Sequence, residues 1–145
     1  MSKKIRKGLL AFLLLPAAVF GQEKRSSHVV APIKVQYGVA SYYSNKFEGR
    51  KTYTDEIFSQ EKLTGASNTL PMHTWVKVTN LRNHRTVIVR INDKMHPRIK
   101  RLIDLSRAAA IQLGYKGSGL RRVRIDVLGK KKPAGQAGEI ITKNK

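Results

Sequence analysis

The most conspicuous group for chemistry is one carboxyl. Asp93 stands in "VIVRINDKMHPRIKRLIDLS" (Val87–Ser106), directly after an apolar alternating run and amid Lys and Arg, in a chain with only 9 acidic residues among 145. A carboxyl at a strand end either points into a groove and moves protons, or accepts hydrogen bonds from the following turn; spacing alone favours the structural role. The histidines His28, His73, His84 and His96 form no H-x-x-x-H pair and no Cys is present, so no metal site and no cofactor is expected. Nucleophilic catalysis has no support either: G-x-S-x-G is absent, and Ser41, Ser59 and Ser67 have no base beside them in sequence. The aromatics of "SYYSNKF", Tyr42 and Tyr43 above all, with Arg50 and Lys51 nearby, suit a sugar-binding groove, where flat rings stack on pyranose faces and cations meet carboxylates. They suit equally a strand whose tyrosines belong to the core.

The elements that must hold these groups are mostly strands. "WVKVTNL" alternates Val76 and Val78 against Lys77 and Thr79, and "RTVIVRIND" sets Val87, Val89 and Ile91 against Ile88 and Arg90. The intervening "RNHR" predicts a hairpin in which Asn83 tolerates the left-handed conformation; His84 sits where Gly would be easier. "RRVRIDVLG" is a third strand, with Val123, Ile125 and Val127 inward, and "VQYGVASYY" an earlier one in which Gly38 permits a bend or a close backbone approach. "DLSRAAAIQLGY" predicts one short helix, with Ser106 as N-cap and Gly114 as the left-handed C-terminal stop. Short strands, one helix and frequent turn residues predict a small β-barrel.

At the scale of the chain, Lys3, Lys4, Arg6 and Lys7 precede an apolar run from Gly8 to Phe20, the architecture of a secretory signal peptide over residues 1–21. Thirteen residues rise only about 20 Å, short of the ~30 Å hydrocarbon core, so the run is expected to be a cleaved leader and not a membrane span. Residues 22–34 read as a linker, 35–129 as the domain and 130–145 as a basic flexible tail. Export without Cys means stability by packing alone and no Cys-anchored lipid. The formal charge of +20 becomes +16 without the leader, which favours polyanions; export makes nucleic acid the weakest of these partners.

The order of segments resembles the rare lipoprotein A family, double-psi β-barrel proteins of the bacterial cell wall. The resemblance rests on "GVASYY", "FEGRKT", "LTGASNTLP", "VKVTNL", "VIVRIND" and "IDLSRAAA", and covers about Gln36 to Leu128. It implies a mainly β fold, a six-stranded double-psi β-barrel with one short helix. It also implies an exported, periplasmic or cell-envelope endolytic lytic transglycosylase that cleaves MurNAc–GlcNAc bonds of peptidoglycan glycan strands, with cell-division or cell-envelope proteins as further candidate partners. Such an enzyme uses the sugar's own C6 hydroxyl as nucleophile. One carboxyl then serves twice, as acid to the glycosidic oxygen and as base in closing the 1,6-anhydro ring, where an ordinary glycosidase needs two.

The family's functional Asp after "R-[IV]-N" falls on Asp93, and its Glu in G-E-x-[FY]-D falls on Glu56, a catalytic helper. The resemblance adds Asn92 and Ser67 to Tyr42, Tyr43 and Arg50 as expected substrate-binding positions. A proton-donating carboxyl must hold its proton near neutral pH, which burial favours. The neighbouring Arg90, Lys94, Arg98 and Lys100 oppose this if they point inward. Departures are visible: the Asp of the Glu motif is Ser59, the His of "TAAH" is Ser67, and N-D-R-G-P is "NDKMHP". The alternative they leave open is a catalytically silent glycan-binding module on the same barrel.

Overall fold

A computed structural model describes residues 34–115, 117 and 119–134; the expected leader, the linker up to residue 33 and the tail beyond Ala134 lie outside the described residues. Six strands carry the fold: β1 (Val35–Tyr42), β2 (Thr64–Ala66), β3 (Trp75–Asn80), β4 (Thr86–Asp93), β5 (Ile103–Leu105) and β6 (Arg121–Gly129). They close into a barrel in the order β1-β5-β2-β4-β3-β6. Neighbours β4, β3, β6 and β1 are antiparallel throughout, whereas β5 joins β1 and β2 joins β4 in parallel.

The alternation read from sequence is the barrel's inside and outside. Val76, Val78, Val87, Val89, Ile91, Val123 and Ile125 are all at most 1 % exposed and meet on the axis. Each fully buried side chain of this kind is worth about 1.5–3 kcal/mol of transfer free energy, so the interior replaces the missing disulfides. Val127 is only partly buried and packs against this core.

The helix α1 covers Arg107–Gln112, directly after its expected cap, and Asp104 and Leu105 ahead of the cap form strand β5, paired with Ser41 and Tyr42 of β1. Ser106 does cap it, its Oγ accepting from Ala109 N at 3.4 Å, and Gly114 follows with φ of 75°. In the β3–β4 hairpin it is His84, not Asn83, that takes the left-handed conformation, with φ of 60°. Asn83 instead turns its amide to the helix end, donating to Leu113 O at 3.0 Å.

Gly38 shows why β1 needs a residue without a side chain: a Cβ there would stand 2.6 Å from Leu102 Cβ. Leu102 in turn donates its N–H to Val39 O at 2.9 Å, bringing β5 alongside β1. That approach places the end of β1, which closes on Tyr42 and is followed by Tyr43, beside the end of β4.

Candidate active site

Asp93 is the last residue of β4, next to the end of β2. The β2–β4 register shifts between Gly65 and Ala66, so that Gly65 pairs with Ile91 and Ala66 with Asp93, and Asn92 is left over. Such an extra residue bends a strand and re-aims its side chains. Asn92 goes inward, 3 % exposed, and Asp93 faces the cleft.

The carboxylate of Asp93 is held by three donors. Oδ1 accepts from Tyr53 N at 2.8 Å and from Lys94 N at 2.9 Å; Oδ2 accepts from the Tyr43 hydroxyl at 2.7 Å. Tyr43 comes from the segment after β1, where its N–H bonds to Leu105 O at 2.9 Å, and its ring packs on Phe58 and Phe47 at 4.3 and 5.6 Å between centroids. Burial, and then the bond to Asp93, push its hydroxyl far above the ordinary tyrosine value, so it stays a donor at every physiological pH. Oδ2 therefore has one fixed partner and one free lone-pair direction.

The cleft beside it has a volume of about 450 Å³ and is lined by Tyr42, Tyr43, Phe47, Asp93, His96 and Asp104, with Lys46, Lys94 and Arg101 among its cations. Size and lining suit a chain of polar rings: aromatic walls, two carboxylates and a basic rim. Met95, the bulky replacement for the Gly of N-D-R-G-P, is 8 % exposed, its N–H bonded to Asn68 Oδ1 at 3.0 Å.

The other two carboxylates of this region are tied to arginine. Asp104 receives Arg101 Nε and Nη2 at 2.8 and 2.9 Å. Glu56 receives Arg90 Nη1 and Nη2 at 2.8 and 2.6 Å, and also Asn92 Nδ2 at 3.3 Å and Thr54 Oγ1 at 3.1 Å. The Arg90 hydrogen bonds outweigh the opposing effect of burial and push the Glu56 carboxyl down to about 2, so it is ionised at neutral pH.

The structure thus sorts the predicted site residues. Asp93, Tyr42 and Tyr43 meet in the cleft; Glu56 and Asn92 bond to each other beside it and are not among its lining residues. Ser67 is fully buried, its hydroxyl donating to Leu102 O at 2.8 Å and accepting from Thr69 and Leu70 N, which removes it as a substrate contact. Arg50 is exposed with its guanidinium over the Phe47 ring. Tyr42 stands edge-on to Tyr115, half core and half cleft.

Of the four cations flanking Asp93, Arg90 is drawn to Glu56, Lys94 lies over the Tyr53 ring at 4.2 Å, and Arg98 and Lys100 are exposed. Asp104 and Arg101 are the site residues that sequence reasoning misses. The signal is present in "RLIDLS", where a scarce Asp lies two residues ahead of a helix cap. Among the described residues no group of His, Asp or Glu is arranged to hold a metal ion.

Comparison with known proteins agrees with this construction. Residues 35–125 match the lytic transglycolase family. The chain is 52 % identical over 92 residues to an endolytic peptidoglycan transglycosylase RlpA of Pasteurella multocida, covering 63 % of this chain and 31 % of that protein. It is 41 % identical over 127 residues to a probable endolytic peptidoglycan transglycosylase RlpA of Synechocystis, covering 87 % and 40 %. It therefore spans well under half the length of these relatives. Among solved structures, the Streptomyces papain inhibitor superposes with a TM-score of 0.54 at 22 % identity, over 66 % of this chain and 96 % of that one. The Clavibacter michiganensis expansin gives 0.55 at 21 %, over 70 % and 53 %; both likenesses concern the fold. With its sequence match spanning the whole barrel and its strands closed in this order, the chain belongs to the lytic transglycolase family of double-psi β-barrels.

Proposed function

We propose that this barrel is an endolytic lytic transglycosylase of the cell envelope, cleaving MurNAc–GlcNAc bonds in peptidoglycan glycan strands, with Asp93 as its acid and base. The observation that carries the reading is the hydrogen bonding of Asp93. It lines the cleft and takes only neutral donors, whereas Glu56 and Asp104 are each forked to an arginine. A proton can come and go at Asp93 without an ion pair being broken.

In this scheme the glycan lies along Tyr42, Tyr43 and Phe47, with the glycosidic oxygen at the free side of Asp93 Oδ2. The carboxyl protonates that oxygen as the C1–O bond breaks. The resulting carboxylate then takes the proton of the C6 hydroxyl as that oxygen closes on C1, which gives the 1,6-anhydro product and restores the acid. Tyr43 and the two backbone N–H groups keep Asp93 in one rotamer through both transfers. Asp104, neutralised by Arg101, serves as a hydrogen-bonding wall of the cleft.

The test is product analysis. Purified sacculi and denuded glycan strands incubated with the protein release anhydro-MurNAc ends, and Asp93→Asn releases none. Absence of such ends with the unaltered chain, where a related enzyme yields them, rejects the reading.

A second reading has a specific observation behind it. Ser67 is buried where the family pattern has His, and Glu56 is fastened outside the cleft, which together fit a module that binds glycan without cutting it. That module would stay on sacculi equally well with Asp93 intact or replaced as Asp93→Asn, and would release no sugar in either form.

A further inference from the structure

Lys46, Lys94 and Arg101 line the cleft, and the fold sorts the remaining positive charge elsewhere. Of the described acidic residues, Glu48, Asp55, Glu56, Glu61, Asp93 and Asp104 lie in the two segments that build the cleft and its flank, and Asp126 is held by Arg124 at 2.6 Å. No Asp or Glu occurs between Glu61 and Asp93, or between Asp104 and Asp126. These two acid-free stretches meet in space.

Leu81 N donates to Arg122 O at 3.1 Å, joining the β3–β4 turn to the start of β6, and Leu81, Arg82, Arg121 and Arg122 line a cavity of about 300 Å³. Arg82, Arg85 and Arg122 are exposed, and so are two leucines that the core does not use, Leu81 in the turn at 37 % and Leu120 directly before Arg121 at 54 % exposure. The strand β4 leads from this turn to Asp93, about 23 Å at ~3.3 Å per residue, whereas Arg121 pairs with Ala40 of β1, two residues before Tyr42, so the patch is far from the carboxyl but near one wall of its cleft.

Guanidinium forks match phosphate oxygens, and exposed leucines gain by leaving water. A surface with both, in alternation, has the composition that seats in a lipid headgroup layer, with arginine at the phosphates and leucine at the acyl boundary. A soluble polyanion would use the arginines and gain nothing from the leucines. We infer that this end of the barrel docks on an anionic phospholipid surface. Asp93 then lies at the far end of β4 from the lipid. The inference concerns a different face from the proposed glycan site and stands or falls separately from it.

Flotation of the full chain with vesicles tests it. The protein floats with phosphatidylcholine vesicles containing phosphatidylglycerol and much less with phosphatidylcholine alone. Arg82→Gln with Arg122→Gln weakens partition about thirtyfold, from ~1 kcal/mol per basic side chain at an anionic surface. Leu81→Ser with Leu120→Ser weakens it severalfold, while Lys62→Gln with Lys100→Gln, the same charge removed from other exposed positions, changes it far less. Thermal melts by circular dichroism confirm that each variant is folded, and anhydro-MurNAc release in vesicle-free solution stays at the wild-type level. Equal losses in the arginine and lysine variants would overturn the inference in favour of bulk charge. A leucine variant that binds like wild type would overturn it in favour of a soluble polyanion, and an arginine variant that keeps full binding would overturn it because the patch then plays no part.

Discussion

A carboxyl is defined by its partners, and the three of this region differ. Glu56 and Asp104 have their negative charge matched by a guanidinium at bonding distance, whereas Asp93 is held by two amides and a phenol. Removing the phenol tests what it does. Tyr43→Phe keeps the ring between Phe47 and Phe58, so the cost in stability is confined to the lost hydrogen bond to Asp93, about 1.5–3 kcal/mol. Losing a hydrogen bond to a charged group, worth about 1.5–3 kcal/mol, lowers kcat for anhydro-MurNAc release by about tenfold or more. KM stays within about twofold, because Tyr43 acts through Asp93; a rise in KM with kcat unchanged would make Tyr43 a sugar contact instead. Glu56 answers to a different measurement. Its folded value of about 2 lies below the ordinary 4.5, so the stabilisation it brings is complete above 4.5 and is lost as pH falls through 2. Glu56→Gln therefore costs about 1 kcal/mol in urea unfolding at neutral pH, and the gap to wild type narrows as pH drops below 4.5. A gap that stays constant down the acid range would mean that packing, not the Arg90 pair, is what the substitution removes.

Elements explain which of these features the sequence discloses. β3, β4 and β6 are 6, 8 and 9 residues long, enough for a period of two to declare itself, and their inward positions are legible. β2 and β5 have 3 residues each, too short for any period, and exist because β1 and β4 offer them parallel edges. This is why β2 and β5 go unread in the sequence: the pairing that turns Asp104 to the cleft and the hydrogen bonds that bury Ser67 just beyond β2 come from segments far away in sequence. The identity of Glu56's partner is hidden for the same reason, since Arg90 lies 34 residues on. The hairpin misleads on a smaller scale, because Asn83 finds a better use for its amide at the end of α1 and leaves the left-handed position to His84. Gly38 is legible as a close approach, and it yields a prediction at this scale. Gly38→Ala puts a methyl 2.6 Å from Leu102 Cβ, forces β1 and the β5 segment apart and costs about 1–3 kcal/mol by chemical denaturation. Leu102→Gly in the same chain removes the Cβ that the new methyl meets and recovers part of the loss, whereas additive losses would place the cost in the backbone of β1.

For the whole molecule the decisive fact is closure. β4, β3, β6 and β1 form a continuous antiparallel sheet of long strands, and β5 with β2 bridge its two outer edges. The bridge leaves no strand of the barrel with an unpaired side, which protects a domain without disulfides from pairing edge to edge with other chains. It also links parts of the sequence that are far apart, as in Tyr37 with Arg124 and Ala40 with Ile103, so folding is expected to be slow for the domain's size. The bridge can be weakened on its own. Ile103 of β5 is 0 % exposed and its side chain fills the interior, so Ile103→Ala costs about 2–5 kcal/mol, from the lost transfer energy and the cavity left behind. What matters is how that loss is distributed. If closure makes the six strands one cooperative unit, the fluorescence of Trp75, the single tryptophan and a residue of β3, follows the same urea transition as far-UV circular dichroism in wild type and variant alike, with only the midpoint lowered. If the four-stranded sheet stands without its bridge, the Trp75 transition lags behind the other in Ile103→Ala, and the barrel is then an open sheet with a separable clasp.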